Sequence, residues 1–144
     1  MDGKHGVADI NSNIVLDCVF DEVEIRGSSL FRVKVGNKFA IIENGRIVVT
    51  FDESDHYHGI TKSGGKYGMI DFSGKIILDF IYDDIDYHEP FGAGFFVLHK
   101  NGKCAIRVRK NGKTTPCIYE RHEDWPIWGY SGDEVLLKEG TPLI

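Results

Sequence analysis

A pattern that recurs four times along the chain constrains its fold more than any other feature. Each copy contains, in order, a lysine, an apolar strand, a polar turn, a second apolar strand, an aromatic residue and acidic residues. The lysines lie 34, 28 and 37 residues apart, at Lys4, Lys38, Lys66 and Lys103. A period of this size belongs to one supersecondary unit stacked on its neighbours. The pattern therefore predicts one domain spanning residues 1–144, built from four degenerate repeats at approximately residues 3–35, 36–63, 64–100 and 101–140.

The turns and strands within each copy indicate antiparallel hairpins. Asn44-Gly45 and Asn111-Gly112 suit the two-residue turn in which both residues take positive φ. In the stretch Phe31–Val35, apolar and basic residues alternate, which is typical of a strand buried on one face. No window has a sustained 3.6-residue period, so we expect few helices. The sequence predicts an all-β antiparallel meander of about four repeated hairpin units, with small propeller-like closure or a curved repeat sheet.

Composition narrows the class of protein further. A length of 144 residues with 42% hydrophobic residues allows a real core without disulfides. The net charge of −5 disfavours nucleic-acid binding by the whole surface. The longest apolar runs have four residues, and the first five residues lack a signal-peptide pattern, so we expect a cytoplasmic protein without membrane spans. Cys18, Cys104 and Cys117 each lie in an apolar run, which predicts buried, reduced thiols.

The third copy carries a resemblance to a known family. It reads Lys66-Tyr67-Gly68-Met69-Ile70-Asp71, then Ser73-Gly74-Lys75-Ile76-Ile77, and closes with Tyr82-Asp83-Asp84. These segments are similar to the bacterial WG repeat, which reads Lys-Trp-Gly, an apolar strand ending in Asp, Gly-Lys, two β-branched residues and an aromatic-acidic close. In this chain the tryptophan position is occupied by His5, Phe39, Tyr67 and Cys104. The resemblance implies a repeat array with an interaction-type function and brings neither catalytic residues nor a cofactor.

Acidic residues recur after the aromatic residue of each copy. They are densest between Asp79 and Glu89, where the spacing lacks the Gly-centred loop of an EF-hand calcium site. Because the acidic close recurs, we expect its side chains to cap backbone amides in the turn that follows.

The pair His56 and His58 has a spacing that suits zinc or nickel. The pair lies where an acidic stretch enters a turn, and spacing assigns no third ligand. A solvated loop is the favoured interpretation, and we predict no metal site.

A basic run extends from Lys100 to Lys113 without an acidic residue. On a strand, Lys103, Arg107 and Arg109 share one face, which suits phosphates or an acidic partner. The face lacks interleaved aromatic residues, so nucleic-acid binding is not predicted. The alternative is a solvated outer strand.

The segment from Arg121 to Tyr130 has no counterpart in the other copies of the repeat. It contains both tryptophans, Trp125 and Trp128, in a stretch broken by proline and glycine. Tryptophan and tyrosine in a loop are favoured anchors of protein interfaces. The alternative is that they form a lid over the apolar face of the last repeat.

Together these observations predict a protein-binding repeat module of a bacterial type that is not an enzyme. The predicted partner-binding residues are Trp125, Trp128, Tyr130, His122, Arg107 and Arg109. A specific form of this prediction is an immunity protein that neutralises a toxin. The alternatives are a small-ligand or carbohydrate-binding protein, in which the aromatic segment stacks on a sugar ring, and a weak hydrolase that uses carboxylates.

Overall fold

The computed structural model describes residues 3–55 and 58–144, and the chain divides into two compact units, Met1–Phe80 and Ile81–Ile144. The described residues form strands and two single turns of 3-10 helix, Pro90–Gly92 and His122–Asp124. Neither turn is long or apolar enough to cross a membrane. Neighbours within each sheet are consecutive strands. The predictions of an all-β antiparallel fold and of few helices are confirmed, whereas the single domain and the repeat boundaries stay predictions.

The first unit contains three sheets. Its strands are β1 (His5–Ala8), β2 (Ile14–Phe20), β3 (Glu22–Gly27), β4 (Leu30–Val35), β5 (Lys38–Glu43), β6 (Arg46–Phe51), β7 (Glu53–Ser54), β8 (Ile60–Ser63), β9 (Lys66–Ile70) and β10 (Ile76–Tyr82), the last of which crosses the boundary between the units. The sheets have the orders β1-β2, β3-β4-β5-β6 and β10-β9-β8-β7. Two of the three therefore contain four strands in the same succession.

The core of the first unit follows the alternation in its strands. Phe31 and Val33 on β4 are each 3% exposed, as the sequence predicts, and pack with Ile42 of β5. A second cluster contains Ile41 and Phe51, with Ile70 of the following sheet packed against them. Each sheet therefore contributes apolar side chains to a core shared with its neighbour in this unit.

The second unit contains two sheets. Its strands are β11 (Asp84–His88), β12 (Phe95–Lys100), β13 (Lys103–Val108), β14 (Ile127–Ser131) and β15 (Glu134–Leu137), in the orders β11-β12-β13 and β14-β15. Phe95, Val97, Cys104 and Ile106 form its buried cluster, against which residues of the β14–β15 hairpin pack. This packing positions the hairpin on the three-stranded sheet.

The predicted two-residue turns differ in outcome. Asn44 and Gly45 have φ values of 51° and 80°, so the prediction is confirmed between β5 and β6. The prediction is wrong at Asn111-Gly112, where only Gly112 has positive φ. The Gly112 amide donates to the Val108 carbonyl at 2.9 Å, which closes a longer turn after β13.

The recurring acidic residues cap turn amides, as predicted. In each case the carboxylate accepts a hydrogen bond from a backbone amide of the sheet that follows it in the chain. That amide lies in the turn after the second strand of the sheet. The pairs are Gly36 to Asp21 at 2.7 Å, Gly64 to Asp52 at 3.0 Å and Asn101 to Asp83 at 3.0 Å. Lys4 and Lys38 contact the carboxylates of Asp21 and Asp52 in addition.

The three cysteines are free thiols, but they are not equally buried. Cys104 is buried as predicted, and Cys117 is half-buried. The prediction is wrong for Cys18, which is exposed. Cys18 lies on β2, an outer strand whose residues are mostly exposed despite their apolar character.

Candidate protein-binding surface

The hairpin β14–β15 contains two of the six predicted partner-binding residues, Trp128 and Tyr130, and Trp125 lies two residues before β14. Ser131 pairs with Glu134 around the turn Gly132-Asp133, and Gly132 has a φ of 59°. The description of residues 121–130 as one loop is therefore wrong from Ile127 onward. The sequence signal for this hairpin is the Gly132-Asp133 turn between two short apolar segments.

Trp128 occupies a β-bulge. Ile127 pairs with Leu137 and Gly129 pairs with the adjacent Leu136, so Trp128 is an extra residue without a partner on β15. A bulge turns the side chain of the extra residue away from its regular direction. The Trp128 side chain is consequently 65% exposed, although it lies in a strand that packs on the core.

Trp125 has the opposite environment. Its ring centroid lies 6.0 Å from that of Phe95, 5.8 Å from His88 and 4.4 Å from His122. Its indole Nε1 is buried without a hydrogen-bond partner in the described residues. The lid interpretation therefore describes Trp125, which covers the Phe95 side of the core.

Tyr130 is also packed onto the core. Its ring stacks on Phe95 with a centroid separation of 6.5 Å and an interplanar angle of 15°. His122 is exposed and lies in the 3-10 turn before Trp125. Of the four predicted residues in this segment, Trp128 alone combines a large apolar side chain with high exposure.

Arg107 and Arg109 are engaged within the unit. The Arg107 guanidinium donates to the Gly112 carbonyl at 3.2 Å and to the Thr114 hydroxyl at 3.0 Å. The Arg109 guanidinium donates to the Tyr87 hydroxyl at 3.1 Å and lies 3.6 Å from a Glu89 carboxylate oxygen. The Arg107 bonds hold the turn after β13, and the Arg109 contacts hold the end of β11, so both arginines have positioning contacts within the unit.

A groove of about 630 Å³ runs along β15. Its lining includes Val108, Lys110, Lys113, Trp128, Val135 and Leu137. A second cavity of about 410 Å³ is lined by His122, Trp125, Tyr130 and, again, Trp128. Trp128 therefore borders both cavities, and the groove along β15 combines apolar side chains with two lysines.

One edge of β15 has no strand beside it in the part of the chain that the structure describes. The Lys138 amide donates to the Pro126 carbonyl at 2.7 Å, so Lys138 faces β14. Backbone groups alternate in direction along a strand. Leu136 therefore also faces β14, whereas the amides and carbonyls of Val135 and Leu137 point away from β14.

Ion pairs hold the end of the hairpin turn. The Lys110 ammonium lies 3.0 Å from the Asp133 carboxylate and 3.4 Å from that of Glu134. The hydrogen bond that the Lys110 ammonium donates to Asp133 raises the pKa of Lys110 and lowers the pKa of Asp133. Lys113 has no ion-pair partner within residues 3–55 and 58–144, and it supplies the groove with an uncompensated positive charge.

Only one member of the pair His56 and His58 belongs to the described residues. His56 lies outside the described residues. The His58 Nδ1 atom is 3.5 Å from the Asp55 carboxylate. Among residues 3–55 and 58–144, no three histidine, cysteine, aspartate or glutamate side chains come together as metal ligands.

Comparison with known proteins identifies the repeat. The family model described as WG containing repeat matches residues 6–39 and 67–104, which together make up half of the chain. No curated protein and no solved structure matches the chain significantly. The matched segments include Gly6 and Gly68, at which a Cβ atom would lie 2.5 Å from the carbonyl oxygens of Leu16 and Leu78. The repeat glycine thus has the same close backbone contact in both matched segments. Because the family model matches half of the chain, the chain belongs to the WG-containing repeat family.

Proposed function

We propose that the chain is a protein-binding repeat module that takes an extended segment of its partner along the free edge of β15. The observation that carries the proposal is that, within residues 3–55 and 58–144, β15 pairs only with β14, and that its residues line a groove of about 630 Å³ together with Trp128, Lys110 and Lys113. A strand edge with unpaired amides and carbonyls is a template for another strand. Peptide recognition by strand addition uses such an edge for affinity and the adjoining pockets for specificity.

The groove supplies side-chain contacts beside the backbone ones. Val135 and Leu137 offer the backbone groups, and Trp128 offers a large aromatic surface at the rim. Exposed tryptophan next to a groove is a preferred interface anchor. Lys113 favours a partner segment that carries an acidic residue, because its charge has no internal partner within the described residues.

The immunity-protein form of this proposal is supported by the net charge of −5. A toxin with a basic surface would associate faster with an acidic chain. In this form the toxin supplies the segment that lies along β15.

The proposal is tested by affinity capture from a lysate of the source organism, with the tagged chain and nuclease present. The decisive comparison is between the unchanged chain, Trp128→Ala and the control Phe91→Ala, which removes an aromatic ring that is 87% exposed and does not line the groove. We expect one stoichiometric protein to be retained by the unchanged chain and by Phe91→Ala, and to be lost with Trp128→Ala. Equal retention by all three chains, or an empty capture, would contradict the proposal.

A second candidate function is small-ligand or carbohydrate binding. The observation in its favour is that the exposed Trp128 ring borders two cavities, of about 630 and 410 Å³. An aromatic ring in this position suits stacking against the apolar face of a sugar. Tryptophan fluorescence measured during glycan titration, with Trp128→Ala as the control, distinguishes this candidate from protein binding.

A further inference from the structure

The guanidinium group of Arg32 has fewer polar contacts than its burial requires. Arg32 lies on β4 in the first unit, and its side chain is 13% exposed. Its Nε atom is buried and has no hydrogen-bond partner within residues 3–55 and 58–144. Buried polar atoms are nearly always hydrogen-bonded, because an unpaired one bears the full cost of losing its water. Arg32 therefore lacks an acceptor among the described residues.

The carboxylate nearest to Arg32 is shared with a second arginine. The Oε2 atom of Glu24 lies 3.9 Å from Nη1 of Arg32 and 3.6 Å from Nη2 of Arg26. Hydrogen bonds between charged groups span about 2.7–2.9 Å, so Glu24 is hydrogen-bonded to neither guanidinium. Arg26 has a further acceptor, since its Nη1 atom donates to the Phe72 carbonyl at 3.0 Å. Of the two arginines, Arg32 is thus the one with fewer partners.

The charges around Arg32 do not balance. Lys34 on the same strand lies 3.9 Å from the Glu22 carboxylate. Two carboxylates, Glu22 and Glu24, are therefore paired with three cations, Arg26, Arg32 and Lys34. Burial lowers the pKa of Arg32 below its usual value, Glu24 opposes this effect, and the nearby Arg26 adds to it. One positive charge is in excess, which favours the binding of one more anion.

Aromatic rings fix the plane of the Arg32 guanidinium. Its Cζ atom lies 4.4 Å from the ring centroid of Phe39 and 5.8 Å from that of Phe51. The two rings stack on each other with a centroid separation of 5.5 Å and an interplanar angle of 9°. Stacking uses the face of a guanidinium and leaves the N–H groups at its edge for a carboxylate. Arg32 is therefore held in one orientation before any ligand binds.

A cavity of about 520 Å³ is lined in part by Arg32. Other lining residues are Val23, Phe39, Glu22, Glu24 and Lys34. Small-molecule sites typically have about 300–1,000 Å³, with apolar walls and a few polar groups that fix the ligand's orientation. In this cavity Val23 and Phe39 supply apolar surface, and Arg32 supplies a fixed cationic group.

We propose that Arg32 binds the carboxylate of a small organic acid whose apolar body lies against Phe39 in this cavity. The ligand's carboxylate takes the place beside Arg32 that Glu24 occupies at 3.9 Å, and Glu24 remains paired with Arg26. Arg32 then gains an acceptor within hydrogen-bond distance. The site lies in the first unit and does not involve β15, so it goes beyond the proposed function.

A carboxylate fits the site better than a phosphate group does. Glu24 shows that a planar carboxylate can lie beside the Arg32 guanidinium. A carboxylate carries a single negative charge, which balances the single excess positive charge. A phosphate dianion would leave one negative charge uncompensated beside Glu22 and Glu24.

NMR titration of the full ¹⁵N-labelled chain with benzoate tests the proposal at constant ionic strength. The Nε–Hε signal of Arg32 and the amide signals of Val23 and Lys34 report on the site. We expect saturable shifts with a Kd on the order of 1–10 mM, the range for a ligand of this size. Benzamide, which has the same ring without the charge, should give no saturable shift, and inorganic phosphate should bind more weakly than benzoate.

Arg32→Lys tests the role of the guanidinium edge. Lysine keeps the positive charge but cannot bind a carboxylate with two parallel hydrogen bonds. We expect benzoate to bind this variant about tenfold more weakly, as followed by the amides of Val23 and Lys34. Arg46→Lys is the matched control, because Arg46 is exposed at the start of β6 and does not line the cavity. Its Kd should equal that of the unchanged chain.

Glu24→Gln gives an expectation of opposite sign and does not depend on the folding of the Arg32 variant. It removes the carboxylate that competes with the ligand for Arg32. We expect benzoate to bind about fivefold more tightly, the upper range for a half-exposed ion pair. Glu43→Gln removes the same charge from an exposed position of β5 outside the cavity, and its Kd should change by less than about twofold because salt screens distant charges.

The outcomes either support or overturn the proposal. Saturable benzoate binding that Arg32→Lys weakens and Glu24→Gln strengthens, each relative to its control, supports it. A lack of saturation up to about 50 mM benzoate overturns it, because binding that weak is not specific. Equal shifts with benzamide, tighter binding of phosphate, or the same Kd in Glu24→Gln and Glu43→Gln also overturn it.

Discussion

The Asp52 carboxylate accepts a hydrogen bond from the Gly64 amide at 3.0 Å, and in this way fixes the turn between β8 and β9. The Asp52 amide donates to the Lys62 carbonyl at 2.8 Å, which aligns the same residue with the end of β8. Lys38 contacts the carboxylate from the preceding sheet. One aspartate thus connects the start of β5 with the turn between β8 and β9, and Asp21 makes the corresponding contacts with Lys4, which precedes β1, and with Gly36.

These contacts predict a loss of stability in acid. The hydrogen bonds from Lys38 and Gly64 lower the pKa of Asp52 below its usual value of 3.8. Because the pKa is lower in the folded than in the unfolded state, the stabilisation is present above pH 3.8 and is lost as the pH falls through the folded-state pKa. Thermal unfolding between pH 7 and pH 2 should therefore show a falling Tm below about pH 4.

Asp52→Asn tests whether Asp52 contributes to this acid sensitivity. The amide oxygen still accepts the Gly64 hydrogen bond, but the side chain no longer titrates. We expect a lower Tm at pH 7 and a smaller decrease in acid than in the unchanged chain. Lys38→Met is the matched change on the other side of the pair, and an unaltered pH profile in both variants would contradict this role.

Two glycine-to-alanine variants test the close backbone contact at Gly68, the glycine of the repeat motif. A Cβ atom on Gly68 would lie 2.5 Å from the Leu78 carbonyl oxygen, whereas one on Gly129 meets nothing within 4 Å. We expect Gly68→Ala to lower the free energy of unfolding by about 1–3 kcal/mol, the cost of overpacking. Gly129→Ala should change it by less than about 0.5 kcal/mol. Urea denaturation measures the free energy of unfolding of both variants. Similar losses in the two variants would contradict the prediction and would show that the strands at Gly68 can separate locally.

The two tryptophans should differ in their effects on stability. Trp125 packs against Phe95 and His88, so Trp125→Ala should cost about 3–5 kcal/mol of unfolding free energy. Trp128 is 65% exposed, and Trp128→Ala should cost less than about 1 kcal/mol. Chemical denaturation of the single variants provides the measurement. A large loss with Trp128→Ala would mean that Trp128 supports the hairpin and would weaken its use as a binding-site probe.

Thiol reactivity should follow burial. Cys18 is exposed, whereas burial and the neighbouring Cys104 raise the pKa of the Cys117 thiol above its usual value of 9.0. A higher pKa leaves less thiolate at pH 8, and the thiolate is the reactive form. Alkylation at pH 8 should therefore show one fast phase, which Cys18→Ser removes. A fast phase that persists in Cys18→Ser would contradict the burial of the other two thiols.

The sequence by itself determined the recurring elements of this protein. The lysine period, the alternation in Phe31–Val35 and the acidic close were sufficient to predict antiparallel strands and capped turns, because these features depend on local chemistry and on a pattern that repeats. The family assignment follows from the same residues, with Gly68 as the clearest example.

Only the tertiary structure decided which apolar residues are buried and which strand edges stay free. Cys18 lies in an apolar run and is exposed, because the burial of a strand residue depends on the sheet packed against it. Trp125 and Trp128 are three residues apart, yet the first is half-buried against Phe95 and a bulge exposes the second. The free edge of β15 is likewise absent from the local pattern, since an unpaired edge is a property of the strands that lie beside it.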